Sequence, residues 1–584
     1  MQTLFKKVDY TLNILIENIE LGIIGLPDIQ RPFIWKPTRV RDLFDSMFKG
    51  FPVGYLLFWE SGTGDGTKQI GLNDKQKVPR LLIVDGQQRL TSLYSVLKGK
   101  PVLRDDFTEQ KIRIAFRPKD SYFEVADAAI KRDPEYIPDI SSLWTSGVGH
   151  VRFITQFMKS LKDYRAVSDE EEDIINTAID RLFDLQSYPF TAVELSPSVD
   201  EENVANVFVR INSQGMTLNQ SDFILTLMSV FWDEGRTELE KFSRSSKKPS
   251  THGSSPFNYY MQPDPDDMLR VSVGLGFRRA RLKYAYSLLR GKDLQTELFS
   301  DEMRIKQFAI LKEAQSYTLD NQNWHEFLKS LLMSGYKSSS MISSKVGIIY
   351  SYVFYLIGKR DFQIESKSLR KIIAKWFFMQ AITRRYTGSP ETVMEQDFSR
   401  LRDCHSQADF IIVLNKIIEE KLTDDFWKIT LPNELAVSSA TAPALFAYYA
   451  SLVLLDANVL FSNLKVSSLL DPSIKSNKSA TERHHLFPRN YLKSVNISDI
   501  KETNQIANFA LVEWKDNIDI SDEPPSSYLP EYLSILSTDL LNKMYYWHAL
   551  PENWESMDYK IFLEQRRKLI ANVIKNGFDK LNSM

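Results

Sequence analysis

At 584 residues the chain is too long for one hydrophobic core, so about three to four domains are expected, and a composition of 43% apolar and 25% charged residues reads as ordinary globular protein. A net charge of −2, from 73 Lys and Arg against 75 Asp and Glu, excludes a globally basic nucleic-acid coat while leaving room for a local positive channel. The single cysteine, Cys404, excludes an intramolecular disulfide and any zinc site built on several cysteines, and fits a reducing cytoplasm.

The opening stretch MQTLFKKVDYTLNILIENIELG has acidic residues inside its apolar part and no small-residue cleavage site, so it does not read as a signal peptide. In LPDIQRPFIWKPTRVRDLFDSMFKGFPVGYLLFWE (26–60), Thr38 is placed to cap a helix whose apolar positions Val40, Leu43, Phe44, Met47 and Phe48 recur at helical spacing; Gly50 and Pro52 end it. YLLFW follows as a buried strand. SGTGDGTKQI (61–70) looks superficially like a P-loop, but its glycines are too closely spaced, Thr67 precedes Lys68 and no helix follows, so it reads as a loop. RLLIV (80–84) is a second strand, and DGQQRLTSLYSVLKG turns from it into a helix. Such a turn points backbone N–H groups at a phosphate, with Asp85 placed to cap the helix, Gly86 to make the tight turn and Arg89 to reach an anion; a plain β-to-α turn uses the same residues. KIRIAF (111–116) alternates like a strand, which makes the first ~120 residues α/β. From there to about 230 the pattern is mainly helical, broken by the strand-like YPFTAVEL (188–195).

SRSSKKPSTHGSSPFNYYMQPDPDD (243–267) reads as a linker, and amphipathic helices follow, among them FRRARLKYAYSLLRG and SLRKIIAKWFFMQAITRRY. VGIIYSYVFYLIG (346–358) and the run from Ala444 to Leu455 fall short of the ~20 residues of a membrane span and read as buried helices. No period of 20 to 50 residues repeats, which argues against a solenoid. TERHHLFPRN (481–490) then sets His484 beside His485. Adjacent side chains on a regular strand face opposite ways, so a shared site needs a strand end or bulge before Pro488. It also needs partners, and NQIANFALVEWKDNIDIS (504–521) offers Asn508 and Asn517.

From Glu482 to Leu529 the chain resembles the His-Me finger (HNH) nuclease domain of GmrSD-type modification-dependent restriction enzymes, through HHLFPRNYL, NQIANFALVEW and DNIDISDEPPSSYL in that order. LPDIQRPFIWKPTRVRDLFDSMFKGFPVGYLLFWE, LLIVDGQQRLTSLY and FVRINSQGMTLNQSDF (208–223) are similar to the N-terminal domain of the same family, with its ParB/sulfiredoxin-like fold and a DGQQR signature linked to nucleotide binding and hydrolysis. The resemblance implies a multidomain α/β plus α protein: a nucleotide-binding domain with a helical extension (1–245), a linker (246–267), a helical middle (268–435) and a ββα-metal nuclease within a helical C-terminal domain (436–584).

It also implies roles. His485 would be the general base, with Asn508 orienting it or holding the loop, and His484 and Asn517 would bind a divalent metal, Mg²⁺ or Mn²⁺. His484 stands where family members often carry Asp, and an imidazole with an amide is a weaker site for hard Mg²⁺ than a carboxylate. A metal neutralises the phosphate while a neutral imidazole takes a proton from water. Gln30, Arg31, Asp85, Gly86, Gln87, Gln88 and Arg89 would form the site for GTP or another nucleoside triphosphate, and Arg210, Asn212, Gly215 and Asp222 come from the third motif. The function implied is an NTP-regulated, metal-dependent endonuclease that cleaves foreign, modified phage DNA in the cytoplasm, with self-association left open. The alternative is a nucleotide-switched DNA sensor whose nuclease is weakened or inactive.

Overall fold

The computed structural model describes residues 3–27, 33, 35–60, 67–68, 80–104, 108–196, 198–199, 207, 220–293, 296, 298, 300–473, 483–513 and 523–584. The chain divides into two compact units, Met1–Thr237 and Glu238–Met584. The first is α/β around a small sheet and the second is mostly helical.

Six strands build the sheet of the first unit: β1 (Phe5–Thr11), β2 (Ile24–Pro27), β3 (Leu56–Glu60), β4 (Thr67–Lys68), β5 (Leu81–Asp85) and, from much later in the chain, Pro189–Leu195. Their order is β1, Pro189–Leu195, β3, β5, β2, β4, so the last strand to arrive sits between β1, antiparallel to it, and β3, parallel to it. That insertion buries Glu194, 2% exposed, which takes Lys6 Nζ at 2.9 Å and a hydrogen bond from Tyr10 Oη. Helix α1 (Leu12–Glu20) lies between β1 and β2, and α2 (Pro37–Phe48) buries Val40, Leu43, Phe44, Met47 and Phe48, the stripe its spacing predicts. Thr38, however, is not its cap. Pro37 takes the first helical position with its φ preset, Lys36 is the N-cap, and no side chain caps the end. Within the stretch that looks like a P-loop, Thr67–Lys68 pairs with β2, and the residues around it lie outside those described.

β5 passes into helix α3 (Gln87–Lys98) through a single residue, Gly86 at φ +96°. A Cβ there would come within 2.3 Å of Leu56 Cδ2, a side chain 1% exposed in the core.

In the second unit the two apolar runs are buried helices, as their length requires: Lys345–Arg360 is buried continuously from Gly347 to Gly358, and Pro443–Leu454 is buried along almost its whole length. No helix among the described residues is long and apolar enough to cross a membrane. Pro443–Leu454 approaches the 25-residue helix Tyr559–Ser583 closely where Gly577 meets Ser451; a Cβ at Gly577 would lie 2.5 Å from Ser451 Cβ. Phe378 and Trp427, on the expected helical middle, stack near Phe578 at 5.5 and 6.0 Å between ring centroids. The middle and the C-terminal portion therefore share one core. The expected linker also belongs to this unit: Trp324 Nε1 donates to Pro256 O at 3.0 Å, Tyr260 Oη to Tyr336 O at 2.9 Å and Ser243 Oγ to Pro263 O at 2.6 Å. These hydrogen bonds run both ways between the segment and the chain around it.

FRRARLKYAYSLLRG is not one helix. Pro265–Phe277 ends at Arg278 in a left-handed conformation (φ +53°), and Leu282–Leu289 starts afresh. The arginines at the break are engaged, Arg278 with Asp361, Arg279 with Glu395 and Arg281 with Thr392, so this basic cluster does not form a helical stripe for a DNA backbone.

Substituting Gly86→Ala should destabilise the protein by about 2 kcal/mol, since it combines a left-handed φ with a core overlap at Leu56; urea denaturation followed by circular dichroism gives the value.

Candidate active site

The two histidines lie on a three-residue strand, Arg483–His485, paired antiparallel with Phe509–Leu511, His484 opposite Ala510 and His485 opposite Phe509. The strand ends at His485, where the sequence requires an end or bulge. The pleat separates the rings: His484 is 3% exposed and meets Tyr528 edge-on at 6.2 Å, whereas His485 is half-buried and lies 4.5 Å from the Phe509 ring. Both nevertheless line one cleft of about 590 Å³, whose walls include Arg489, Asn490, Lys493 and Thr503. No Asp or Glu occurs among the described residues lining it, and Arg489 and Lys493 are exposed, so the cleft is cationic.

His485 Nε2 donates to Asn504 Oδ1 at 2.9 Å. An amide oxygen at Nε2 selects the tautomer whose lone pair is on Nδ1, the form that accepts a proton. Asn504 opens the quoted NQIAN run and was not singled out from the sequence; its signal is an amide beside the end of the short helix Ile500–Thr503, and its meaning lies in a contact across 19 residues.

Asn508 does not touch His485 in this way. Fully buried, it accepts from Phe487 N at 2.9 Å and donates to Phe487 O and Thr503 O, each at 3.0 Å. Of the two expected options it takes the second, holding the loop. Leu486 N donates to Asn508 O at 2.8 Å, and Tyr528 Oη, on the helix Pro525–Ile535, donates to Leu486 O at 2.7 Å. Strand, strand and helix thus meet at the turn that follows the histidines. Beneath it, Phe487 packs on Trp554, Tyr559 and Phe562.

A buried cation fixes the other side. Arg566, on Tyr559–Ser583 and fully buried, donates through Nη1 to Ala507 O at 2.6 Å and through Nε and Nη2 to His548 O at 3.2 and 3.1 Å. Burial lowers its pKa, opposed by the nearby Tyr448, Tyr449 and Tyr528 hydroxyls. His548 donates to Asn458 O at 3.0 Å, and burial pushes its pKa down to about 4.

His484 and His485 reach the same cleft, but among the described residues no three His, Cys, Asp or Glu cluster as metal ligands, and Asn517 lies outside those described.

In the first unit, Asp85 ends β5 and does not cap α3; Gly86 is the N-cap because the turn demands a left-handed residue there. Arg89 Nη1 donates to Val53 O at 2.6 Å and Nη2 to Tyr55 O at 2.7 Å, with Asp85 Oδ2 3.4 Å away. Its fork is spent on the 53–55 backbone, where Gly54 at φ +90° leaves room: a Cβ would sit 2.5 Å from Nη1. Desolvation lowers the pKa of Arg89, countered by Asp85. A bidentate grip on a phosphate would require Arg89 to leave two carbonyls. Gln30, Arg31, Arg210, Asn212 and Gly215 lie outside the described residues, as does the side chain of Asp222.

Residues 12–229 match the model of the GmrSD restriction endonuclease N-terminal domain, so the first unit is similar to the N-terminal domain of that family. A domain of this family suggests a restriction-nuclease role. The chain is also 22% identical over 558 residues to the uncharacterized protein MJ0686 of Methanocaldococcus jannaschii, a match that spans 89% of this chain and 86% of the relative.

Replacing Asn508 by Leu keeps the branched outline but swaps the amide for bulkier methyls and strands three buried groups, which should cost at least about 3 kcal/mol in urea unfolding. His548 supplies a pH test. In the unfolded chain it takes up a proton near pH 6.5, whereas in the folded protein it resists until about pH 4. The unfolded state therefore binds more protons in that window, and stability should fall by about 3 kcal/mol as pH drops from 6.5 to 4. His548→Gln should flatten that part of the profile.

Proposed function

We propose that the protein is a DNA endonuclease in which His485 is the general base, and that Asn504 and Asn508 position it. The observation that carries this reading is the His485 to Asn504 hydrogen bond inside a cleft walled by Arg489 and Lys493. The two cations attract the phosphodiester backbone. Asn504 holds the proton on Nε2, and His485 Nδ1 takes the proton of the attacking water. Asn508 keeps the 486–488 turn in place, which fixes the end of the strand that carries the base. A divalent cation, Mg²⁺ or Mn²⁺, held with His484 as one ligand and Asn517 as another, would supply charge neutralisation at the phosphate.

The family of the first unit supports foreign DNA as the target, and we extend this to modified phage DNA, with GTP or another nucleoside triphosphate at the β5 to α3 turn licensing or restraining the cut. Digestion of genomic DNA from phages with different modifications, with and without each nucleotide, tests both parts. The cleft's lack of a described carboxylate favours a second reading, a nucleotide-switched DNA sensor with a weakened nuclease.

Plasmid nicking separates the two. The nuclease reading expects nicking with Mg²⁺ or Mn²⁺, loss in EDTA, and loss by at least about 100-fold in His485→Ala; DNA binding without nicking under any metal points to the sensor. Asn504→Ala should lower kcat about 10-fold or more while leaving KM unchanged, because it misplaces the base without touching the substrate. An equal rise in KM with unchanged kcat would remove Asn504 from this role.

A further inference from the structure

The second unit holds another pocket, of about 470 Å³, within the roughly 300–1,000 Å³ of small-molecule sites. Its lining is unlike that of the cationic cleft. Phe377 and Phe446 contribute aromatic surface, and Gln380, 5% exposed, contributes a neutral amide that both donates and accepts. Tyr336 also lines it, 1% exposed, and its buried hydroxyl has no hydrogen-bond partner among the described residues. An unpaired buried hydroxyl costs about 1–3 kcal/mol, a penalty that an occupant with a hydrogen-bonding edge would relieve.

Gly347 makes the space for the amide: a Cβ there would lie 2.4 Å from Gln380 Oε1. At the rim, Arg384 is exposed and held at φ +51°, a left-handed conformation that a side-chain-bearing residue adopts at a cost. It is the one charged residue among the described residues of the lining.

A neutral interior with aromatic walls, an amide, a hydroxyl and a single cation at the mouth selects a planar heterocycle with polar edges and an anionic group outside. A free phosphate would have no partner inside, and a cationic ligand would meet no carboxylate. We propose that this pocket receives a nucleobase, turned out of the DNA substrate, with Gln380 and Tyr336 reading its edge and Arg384 meeting the adjoining phosphate. The proposal rests on the DNA reading above and locates where a base is inspected.

The pocket is also joined to the nuclease segment. Its wall residue Val437 accepts a backbone hydrogen bond from Ile506 N at 3.0 Å, two residues before Asn508. An occupant that orders this wall acts on the segment that positions His485.

The test is equilibrium binding by the full-length protein in EDTA, so that no cleavage is needed. Fluorescent duplexes carry a central cytosine, 5-hydroxymethylcytosine or an abasic site, and free deoxycytidine monophosphate and ATP serve as competitors. Base-bearing duplexes should bind more tightly than the abasic one. Tyr336→Phe should weaken them about 3–10-fold, leaving abasic binding unchanged and the melting temperature no lower, because the hydroxyl has no hydrogen-bond partner among the described residues. Gly347→Ala, which displaces the Gln380 amide, should do the same. Displacement by the free monophosphate or ATP, weakened by Tyr336→Phe, upholds the base chemistry and assigns it to a free nucleotide. Equal affinity for abasic and base-bearing duplexes, or a Tyr336→Phe variant that binds every probe like the parent, overturns the pocket alone. No binding to any DNA overturns the DNA reading with it, whereas base-dependent binding without nicking leaves the pocket standing and removes the nuclease.

Discussion

The cleft depends on a guanidinium taken out of water. Arg566 is a fixed cation whose partners are main-chain carbonyls, those of Ala507 and His548, and whose charge is further eased by tyrosine hydroxyls around it. Desolvating such a group is expensive, so the structure around it must keep every bond it makes. One of those bonds ends at Ala507, the residue before Asn508; from there the order passes to Phe487 and to the turn that closes the histidine strand. The same helix brings Tyr559, whose hydroxyl donates to Glu502 O at 2.9 Å beside the segment that ends in Asn504. A single long helix therefore holds both the segment that ends in Asn504 and the one that leads to Asn508.

The first unit follows a different logic. Its sheet closes only when Pro189–Leu195 inserts between strands formed from the first 60 residues. Strand pairing across so long a loop is slow to form, and the buried Glu194 with Lys6 and Tyr10 favours this partner over any other apolar segment. Arg89 then ties the turn before β3 to the start of α3. The DGQQR run is in this respect a structural knot as much as a candidate site, with its arginine committed to the backbone.

Much of this was legible in the chain. The strands at 56–60, 81–85 and 189–195 read as short apolar runs bounded by turn residues, and the α2 stripe matched its burial residue for residue, because both signals are local. Caps were less so. Asp85 and Thr38 are good capping residues, yet a required left-handed turn at Gly86 and the preset φ of Pro37 displaced them. The composition of 243–267 read as a linker because polarity says where water is common, not which carbonyls Trp324 and Tyr260 reach. At the site, the histidine pair and Asn508 stood out, while Asn504, Arg566 and Tyr336 did not: each acquires its role from a partner far away in sequence, which no spacing rule encodes.

Asn508 has one more consequence. Its amide exchanges both a donor and an acceptor with Phe487, as a facing residue on a neighbouring strand would, and so adds a rung to a ladder only three residues long. Short ladders are prone to slip, and a slip of one residue would exchange the faces of His484 and His485, burying the second and exposing the first. The side-chain rung forbids that shift. Which of the two histidines is the more exposed is thus a question of register, held by the side chain of Asn508 through its bonds to Phe487.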